Sequence, residues 1–201
     1  FLTRSCSQDV PFQSKVIPTR VLHIFVAGEH SFRLLNLCYF FSSVVGTQSK
    51  RIELSNIWSN QLRDIISFVQ DREASYDGVG TPPRMPDVLQ ASADPLKPSR
   101  ELREICKENG IEFVSYSTLG TQHRTRDGTN PVLSNPQINE IAEKHGRSAA
   151  EVVLSWAIHN EMSVIPRSTN EHHIMQLSRL LNRKSFLHNE DLLAINALSL
   201  N

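Results

Sequence analysis

Polar and aromatic side chains recur at the ends of several short apolar segments of the sequence. Ser55 and Asn56 follow one segment, and Gln90 lies near the end of the next. Tyr116 and Arg167 end two others. Hydroxyl and amide groups donate and accept hydrogen bonds, an aromatic ring offers a flat surface, and a guanidinium forms forked bonds to phosphate. Residues of these types can hold a flat polar ligand that carries an anionic group.

The elements that must position these residues alternate between strand and helix. Residues 51–55, 86–91, 111–116 and 163–166 have the composition of strands, and helical spacing of apolar residues follows each of them. Four residues are predicted to begin helices, namely Ser59, Ser99, Asn135 and Ser148. Strands that alternate with helices favour a parallel sheet.

Two architectures fit such a sheet, an open doubly wound sheet and a stretch of an eight-stranded barrel. No Gly-x-Gly-x-x-Gly motif opens a helix, so a nucleotide site of the open-sheet type has no support. In a barrel, ligands bind at the carboxyl ends of the strands, where the polar residues of this sequence lie. We therefore favour the barrel, and expect Val88, Val114 and Val164 to form part of its inward apolar face.

Composition excludes several classes of partner. Lys plus Arg and Asp plus Glu both number 21, so the net charge is zero and a strong overall attraction to nucleic acid is not expected. The longest apolar stretch, 34–45, is shorter than the roughly 20 residues of a membrane-spanning helix, so we expect no membrane partner. The three cysteines Cys6, Cys38 and Cys106 form no disulfide or zinc pattern. They predict buried thiols in a cytoplasmic protein without a metal site.

The sequence divides near residue 50. Residues 1–49 are poorly defined, apart from a plausible short strand at 21–26, whereas residues 50–201 follow the regular alternation. The sequence opens at Phe1 rather than Met, which suggests a fragment or a processed product.

The strand ends of residues 50–201 resemble those of the aldo-keto reductases. The segment 50–56, which ends in Ser-Asn, resembles the fifth strand of that family, and Gln90 falls where the sixth strand carries a glutamine. Residues 116–120 and 164–170 are similar to the seventh and eighth strands with their loops. The resemblance implies an α/β fold, a partial (β/α)8 TIM-type barrel with strands five to eight, whose N-terminal half is missing or degenerate.

The same resemblance implies that NADP is the cofactor and that these strand ends bind it. Tyr116 would supply a flat face for the nicotinamide, while Ser55, Asn56 and Gln90 would bond its carboxamide. Arg167 and the helix start after it would bind the 2′-phosphate of the adenosine. The full set of expected cofactor-binding residues is Ser55, Asn56, Gln90, Tyr116, Ser117, Leu119, Arg167, Ser168, Thr169 and Asn170.

The sequence departs from the family pattern at three positions. Glu53 stands where the family usually has Gly, His173 where it often has Arg, and Leu177 where Asn is expected. The last two positions would hold the adenosine end, so we expect weaker binding there. The adjacent pair His172 and His173 does not predict a metal site, because neighbours on a helix point about 100° apart.

The acid chemistry of the family comes from an Asp, a Tyr, a Lys and a His on strands two to four. No matching pattern precedes residue 50, and His23 lacks the supporting context, so we assign no catalytic residue. Three interpretations remain open. The chain is a fragment of an oxidoreductase that interconverts carbonyls and alcohols, an inactive nucleotide-binding or regulatory relative, or a non-functional truncated product. A half barrel leaves open strand edges, which predicts self-association.

Overall fold

A five-stranded parallel sheet forms the centre of the computed structural model, which describes residues 21–25, 51–79, 82–181 and 185–200. The strands are β1 (Val21–Phe25), β2 (Arg51–Ser55), β3 (Val88–Ser92), β4 (Glu112–Tyr116) and β5 (Ser163–Val164). Each described strand pairs in parallel with the next described strand, in the order β1-β2-β3-β4-β5. The predicted alternation and parallel pairing are therefore confirmed, and the strand predicted near residue 21 extends the sheet beyond β2.

Six α-helices among the described residues connect or follow the strands. They are α1 (Ser59–Ala74), α2 (Arg100–Glu108), α3 (Pro136–His145), α4 (Ala149–His159), α5 (Glu171–Leu181) and α6 (Asn189–Ala197). Within the described residues, no helix combines the length and the apolar character needed to cross a membrane.

Capping residues set several helix boundaries as the sequence predicts. Asn135 accepts hydrogen bonds from the first amides of α3, and Pro136 takes the position where its missing N–H is harmless. Ser148 and Glu151 form a reciprocal capping box at α4. Ser59 is not the N-cap of α1: the helix begins at Ser59 itself, and the side chain of Gln61 accepts from the N–H of Trp58.

Helices cover one face of the sheet. This helix-covered face carries five buried apolar residues, Ile52, Leu54, Leu89, Ala91 and Phe113, which join one apolar cluster with residues from α1, α2, α3, α4 and α6. The cluster does not include Val88 or Val114 of the opposite face. A doubly wound sheet carries helices on both faces, whereas a barrel carries them on one. Within the described residues, the fold is therefore α/β and consistent with a partial barrel.

The opposite face, which we call the inner face, is more polar than predicted. It carries Glu53, Ser55, Gln90, Val114 and Tyr116, as the strand register shows. The expectation of an apolar inward face was wrong in this respect, because polar side chains alternate with its valines.

Val164 does not belong to the inner face. It pairs in register with the buried Ser115 and packs against the apolar cluster beneath the helices. The strand predicted at 163–166 ends at Val164, and Ile165 is 51% exposed. Proline at 166 has no N–H for a ladder hydrogen bond, which is consistent with the early end of the strand.

The thiol of Cys106 is buried in α2, as predicted. Burial raises its pKa to about 12, because the low-polarity surroundings disfavour the thiolate. Since the thiolate is the reactive form, Cys106 is a packing residue rather than a nucleophile. The other two cysteines, Cys6 and Cys38, lie outside the described residues.

Candidate cofactor site

Three of the predicted site residues converge on the inner face at the carboxyl ends of neighbouring strands. Ser55 of β2 pairs in register with Gln90 of β3, and Tyr116 of β4 pairs with Ser92, two residues beyond Gln90. Partners in a parallel ladder point to the same side of a sheet, so the hydroxyl, the amide and the ring share one surface. Ser55 is 9% exposed, whereas Gln90 and Tyr116 are half-buried.

Asn56 joins this group through the phenol of Tyr116. The Tyr116 hydroxyl donates to Asn56 Oδ1 at 2.8 Å, and the Asn56 N–H donates to the carbonyl of Gln90 at 3.4 Å. Asn56 adopts a φ of 57°, a left-handed conformation that asparagine tolerates better than most residues. The turn after β2 thus brings the Asn56 amide to the hydroxyl of Tyr116, and the bond between them fixes both side chains.

Gln90 is held from the other side by Glu53. Its Nε2 donates to Glu53 Oε1 at 2.9 Å. Glu53 lies two residues before Ser55 and shares the inner face with it. This bond joins one of the expected cofactor residues to Glu53, one of the three positions where the sequence departs from the pattern of the family it resembles. The sequence alone does not predict this contact.

Ser117 and Leu119 lie in the loop that follows β4. The carbonyl of Ser117 accepts from the N–H of Gly120 at 2.8 Å, and the carbonyl of Leu119 accepts from Asn130 Nδ2 at 2.8 Å. Gly120 has a φ of 75°, and an added Cβ would lie 2.2 Å from Val132 Cγ2. Only glycine fits this close approach, so the loop has a defined path over the carboxyl edge.

A buried carboxylate anchors the same loop. Asp94, fully buried after β3, accepts from His123 Nε2 at 2.9 Å and from the side chain of Gln122. It also accepts from the backbone N–H groups of Leu96 and Lys97. Asp94 is not predicted from the sequence, since its side-chain partners Gln122 and His123 lie 28 and 29 residues further along the chain.

The third part of the predicted site follows β5 and is more exposed. Arg167, Thr169 and Asn170 are exposed, and Ser168 is half-buried. Ser168 Oγ accepts from the N–H of Asn170 at 3.1 Å.

The side chain of Asn170 occupies some of the N–H groups at the start of α5 that were expected to bind an anion. Its Oδ1 accepts from the N–H groups of His172, at 2.9 Å, and of His173, at 3.4 Å. Two of the amides at the start of α5 are therefore already bonded. This leaves the exposed guanidinium of Arg167 as the principal candidate for a phosphate contact.

Neither histidine cluster of the described residues forms a convincing metal centre. The rings of His172 and His173 lie 6.3 Å apart and both residues are exposed. A second group, His145, His188 and Asp191, places three possible ligand atoms within 4.8 Å of one another. However, Lys144 Nζ lies 3.0 Å from Asp191 Oδ1, and a bound cation would be repelled by this ammonium group.

We interpret the second group as a link between α3 and α6. Asp191 Oδ2 accepts from His145 Nε2 at 2.8 Å and from the N–H of His188 at 2.9 Å. Burial opposes ionisation of Asp191, but the bonds from His188, Lys144 and His145 outweigh it and lower the pKa from 3.8 to about 2. The carboxylate therefore stabilises the fold while it is ionised.

Asp191→Asn is expected to lower the free energy of unfolding by about 2 kcal/mol at neutral pH. Because the pKa is lower in the folded chain, this contribution is complete above the unfolded pKa of 3.8 and is lost as the pH falls toward 2. Urea denaturation between about pH 7 and pH 2 should show the variant converging on the native chain at the acid end. Asp64→Asn, at an exposed position of α1, is the control and should change little. A constant difference at all pH values would contradict the role of the charge.

A cavity of about 720 Å³ lies at the opposite end of the sheet. It opens near the start of β4 and is bounded by Arg103, Lys107, Glu112 and Glu161. Its cations are already engaged, since Arg103 donates to the carbonyl of Asn160 and Lys107 pairs with Glu161. We place the candidate site at the carboxyl edge instead, where ligands of barrel folds bind.

Comparison with known proteins shows which family the sequence matches. The sequence pattern of the Aldo/keto reductase family matches residues 54–199. The chain is similar to Aldo-keto reductase family 1 member A1 of Mus musculus, with 35% identity over 129 residues that cover 63% of this chain and 36% of that protein. It is also similar to D-galacturonate reductase of Fragaria ananassa, with 31% identity over 128 residues, 64% of this chain and 36% of that protein. The matches thus span about a third of these curated relatives.

Solved structures show the same relationship over a larger share of the chain. A Gox0644 variant in complex with NADPH has 30% identity and a TM-score of 0.59, and the match covers 81% of this chain and 50% of that chain. The aldose reductase from Giardia lamblia matches in fold, with a TM-score of 0.64 at 24% identity, over 83% of this chain and 50% of that chain. With the family pattern spanning most of its length, the chain belongs to the aldo-keto reductase family.

Proposed function

We propose that residues 50–201 form the cofactor-binding half of an NADP-dependent oxidoreductase barrel. The observation that carries this proposal is the convergence of Ser55, Gln90 and Tyr116 on one face at the carboxyl edge, with Asn56 bonded to the Tyr116 hydroxyl. A nicotinamide stacked on Tyr116 would meet hydroxyl and amide groups able to bond both ends of its carboxamide. Such contacts fix which side of the ring transfers hydride.

The phosphate end of the cofactor would lie at the loops after β4 and β5. The turn at Ser117–Gly120 and the loop anchored by Asp94 cross the carboxyl edge, and Arg167 is exposed after β5. Arg167 forms no ion pair with another described residue, so its guanidinium can bond a phosphate without losing a protein partner. The complex of a related structure with NADPH supports this choice of cofactor.

The reaction class we propose for the complete protein is the interconversion of a small carbonyl compound and its alcohol. Its proton donor would come from strands two to four of the barrel, for which residues 1–49 supply no matching pattern. A second candidate function, nucleotide binding without turnover, is favoured by the same absence of a recognisable donor in the sequence. The two differ in whether hydride transfer accompanies binding.

Arg167→Ala is expected to weaken NADPH binding by about 10- to 150-fold, because a charge-assisted hydrogen bond contributes about 1.5–3 kcal/mol. NADH lacks the 2′-phosphate, so its affinity should change little. Isothermal titration calorimetry of both cofactors with the native chain and the variant measures the difference. The matched control is Arg72→Ala, which removes an exposed arginine from the last turn of α1. Equal affinity of the native chain for NADPH and NADH would contradict the proposal.

A further inference from the structure

The hydrogen bond between Gln90 and Glu53 fixes which end of the Gln90 amide faces a ligand. A carboxylate only accepts hydrogen bonds, so Gln90 must present its NH₂ group to Glu53, as the 2.9 Å contact shows. The carbonyl is the other end of the same planar amide and is therefore turned away from Glu53. On the inner face, Glu53 lies two residues before Ser55, the register partner of Gln90, and so nearer the amino ends of the strands. The side-chain carbonyl of Gln90 can therefore accept from a group bound nearer the carboxyl edge.

The side-chain amide of Asn56 is fixed the other way round, with its oxygen bonded to the protein. Its Oδ1 accepts from the Tyr116 hydroxyl at 2.8 Å, so the NH₂ group of Asn56 is the end left for a ligand. A backbone hydrogen bond joins the turn after β2 to the end of β3, since the N–H of Asn56 donates to the main-chain carbonyl of Gln90. One amide thus offers a donor, and its neighbour offers an acceptor.

We propose that Glu53 is a specificity-determining residue of the nicotinamide subsite. By holding the Gln90 NH₂ group, it makes Gln90 an acceptor that selects a carboxamide NH₂ and rejects a carboxylate at the same position. The carboxamide oxygen then faces the Asn56 donor, which leaves one orientation of the group. This inference rests on the proposed function, since it assumes that the inner face binds a nicotinamide nucleotide.

The probe for this selectivity is the pair of NADP⁺ and its acid analogue, in which a carboxylate replaces the carboxamide. Their dissociation constants are measured by calorimetry with the native chain. We expect NADP⁺ to bind at least about tenfold more tightly, because the analogue would leave the Gln90 carbonyl opposite another acceptor. Equal binding of the two compounds by the native chain would overturn the inference without any variant.

Glu53→Gln should reduce this selectivity by about tenfold. A glutamine at this position can present either end of its amide, so Gln90 becomes free to turn and donate to the analogue. We expect most of the change to appear as tighter binding of the analogue, with a smaller change for NADP⁺. An unchanged ratio in the folded variant would overturn the assignment of Glu53.

Glu112→Gln separates hydrogen-bond polarity from charge alone. Glu112 shares the row of Glu53 on the inner face, two strands away, which is about 10 Å in a parallel sheet. It bonds Arg51 and Ser163 but not Gln90. This variant should keep the selectivity of the native chain, and an equal loss would attribute the effect to long-range charge and overturn the inference.

The outcomes also distinguish this inference from the function on which it rests. If the native chain binds neither compound, the proposed function fails and the role of Glu53 fails with it. If NADP⁺ binds and Arg167→Ala weakens it, but the selectivity is absent, only the role of Glu53 is overturned.

Discussion

Trp156→Ala is expected to lower the free energy of unfolding by about 3–5 kcal/mol, the range for removal of a buried tryptophan. Trp156 is fully buried in α4, within the apolar cluster between the sheet and the helices. Its Nε1–H donates to Asn196 Oδ1 at 2.8 Å, so the substitution both opens a cavity and removes the partner of Asn196. Domains are typically stable by only about 5–15 kcal/mol, so the variant should lose a large part of its stability.

The only other tryptophan of the sequence provides the matched control. Trp58 precedes α1 and is 60% exposed. Its backbone N–H bonds Gln61, which a change of side chain does not remove, so Trp58→Ala should alter stability by less than about 0.5 kcal/mol. Urea denaturation followed by circular dichroism measures both variants without relying on tryptophan fluorescence. Similar effects at the two positions would show that the cluster around Trp156 does not hold the fold together.

The 201-residue chain should not accelerate the reduction of a reactive aldehyde by NADPH. General acid catalysis contributes a factor of about 10²–10⁴, and the tyrosine that supplies it in the family has no counterpart that we recognise in this sequence. The expected result is a rate of NADPH consumption, followed by its absorbance, equal to that without protein. Because cofactor binding does not need the proton donor, calorimetry on the same sample should still detect NADPH.

Tyr116→Phe is the informative variant for the opposite outcome. It keeps the ring but removes the hydroxyl that donates to Asn56. Suppose that the native chain does consume NADPH, and that this substitution abolishes the activity while the chain stays folded. The proton donor would then lie in this site rather than on strands two to four of the barrel.

The elements that the sequence predicts best are those specified by neighbouring residues. The apolar face of α1, the cap at Asn135 and the box at Ser148 each depend on contacts within one or two helical turns, and the structure reproduces them. The strands β2 and β4 also follow directly from short apolar runs between turn residues. Local periodicity and capping chemistry are sufficient for these predictions.

The parts that the sequence does not predict depend on residues far apart in the chain. Glu53 and Gln90 meet only because β2 and β3 pair in one register, and a shift of one residue would turn either side chain to the helices. Asp94 bonds His123, which lies 29 residues further along the chain in the loop after β4. Val164 was assigned to the wrong face because so short a strand shows no alternation, and only its pairing with Ser115 decides the side.

The order of the strands has a consequence for how the chain acquires its structure. Each described strand pairs with the described strand that precedes it in the sequence, so none of these strands has to wait for a later part of the sequence to be synthesised. Each strand from β2 onward can pair with an edge that has already formed, and the helices α1 to α4, which follow β2, β3 and β4, cover the apolar side. Since domains fold as they emerge from the ribosome and short-range contacts form fastest, the sheet can grow in the direction of translation. The last strand to form among the described residues is β5, which pairs on one side only, with β4.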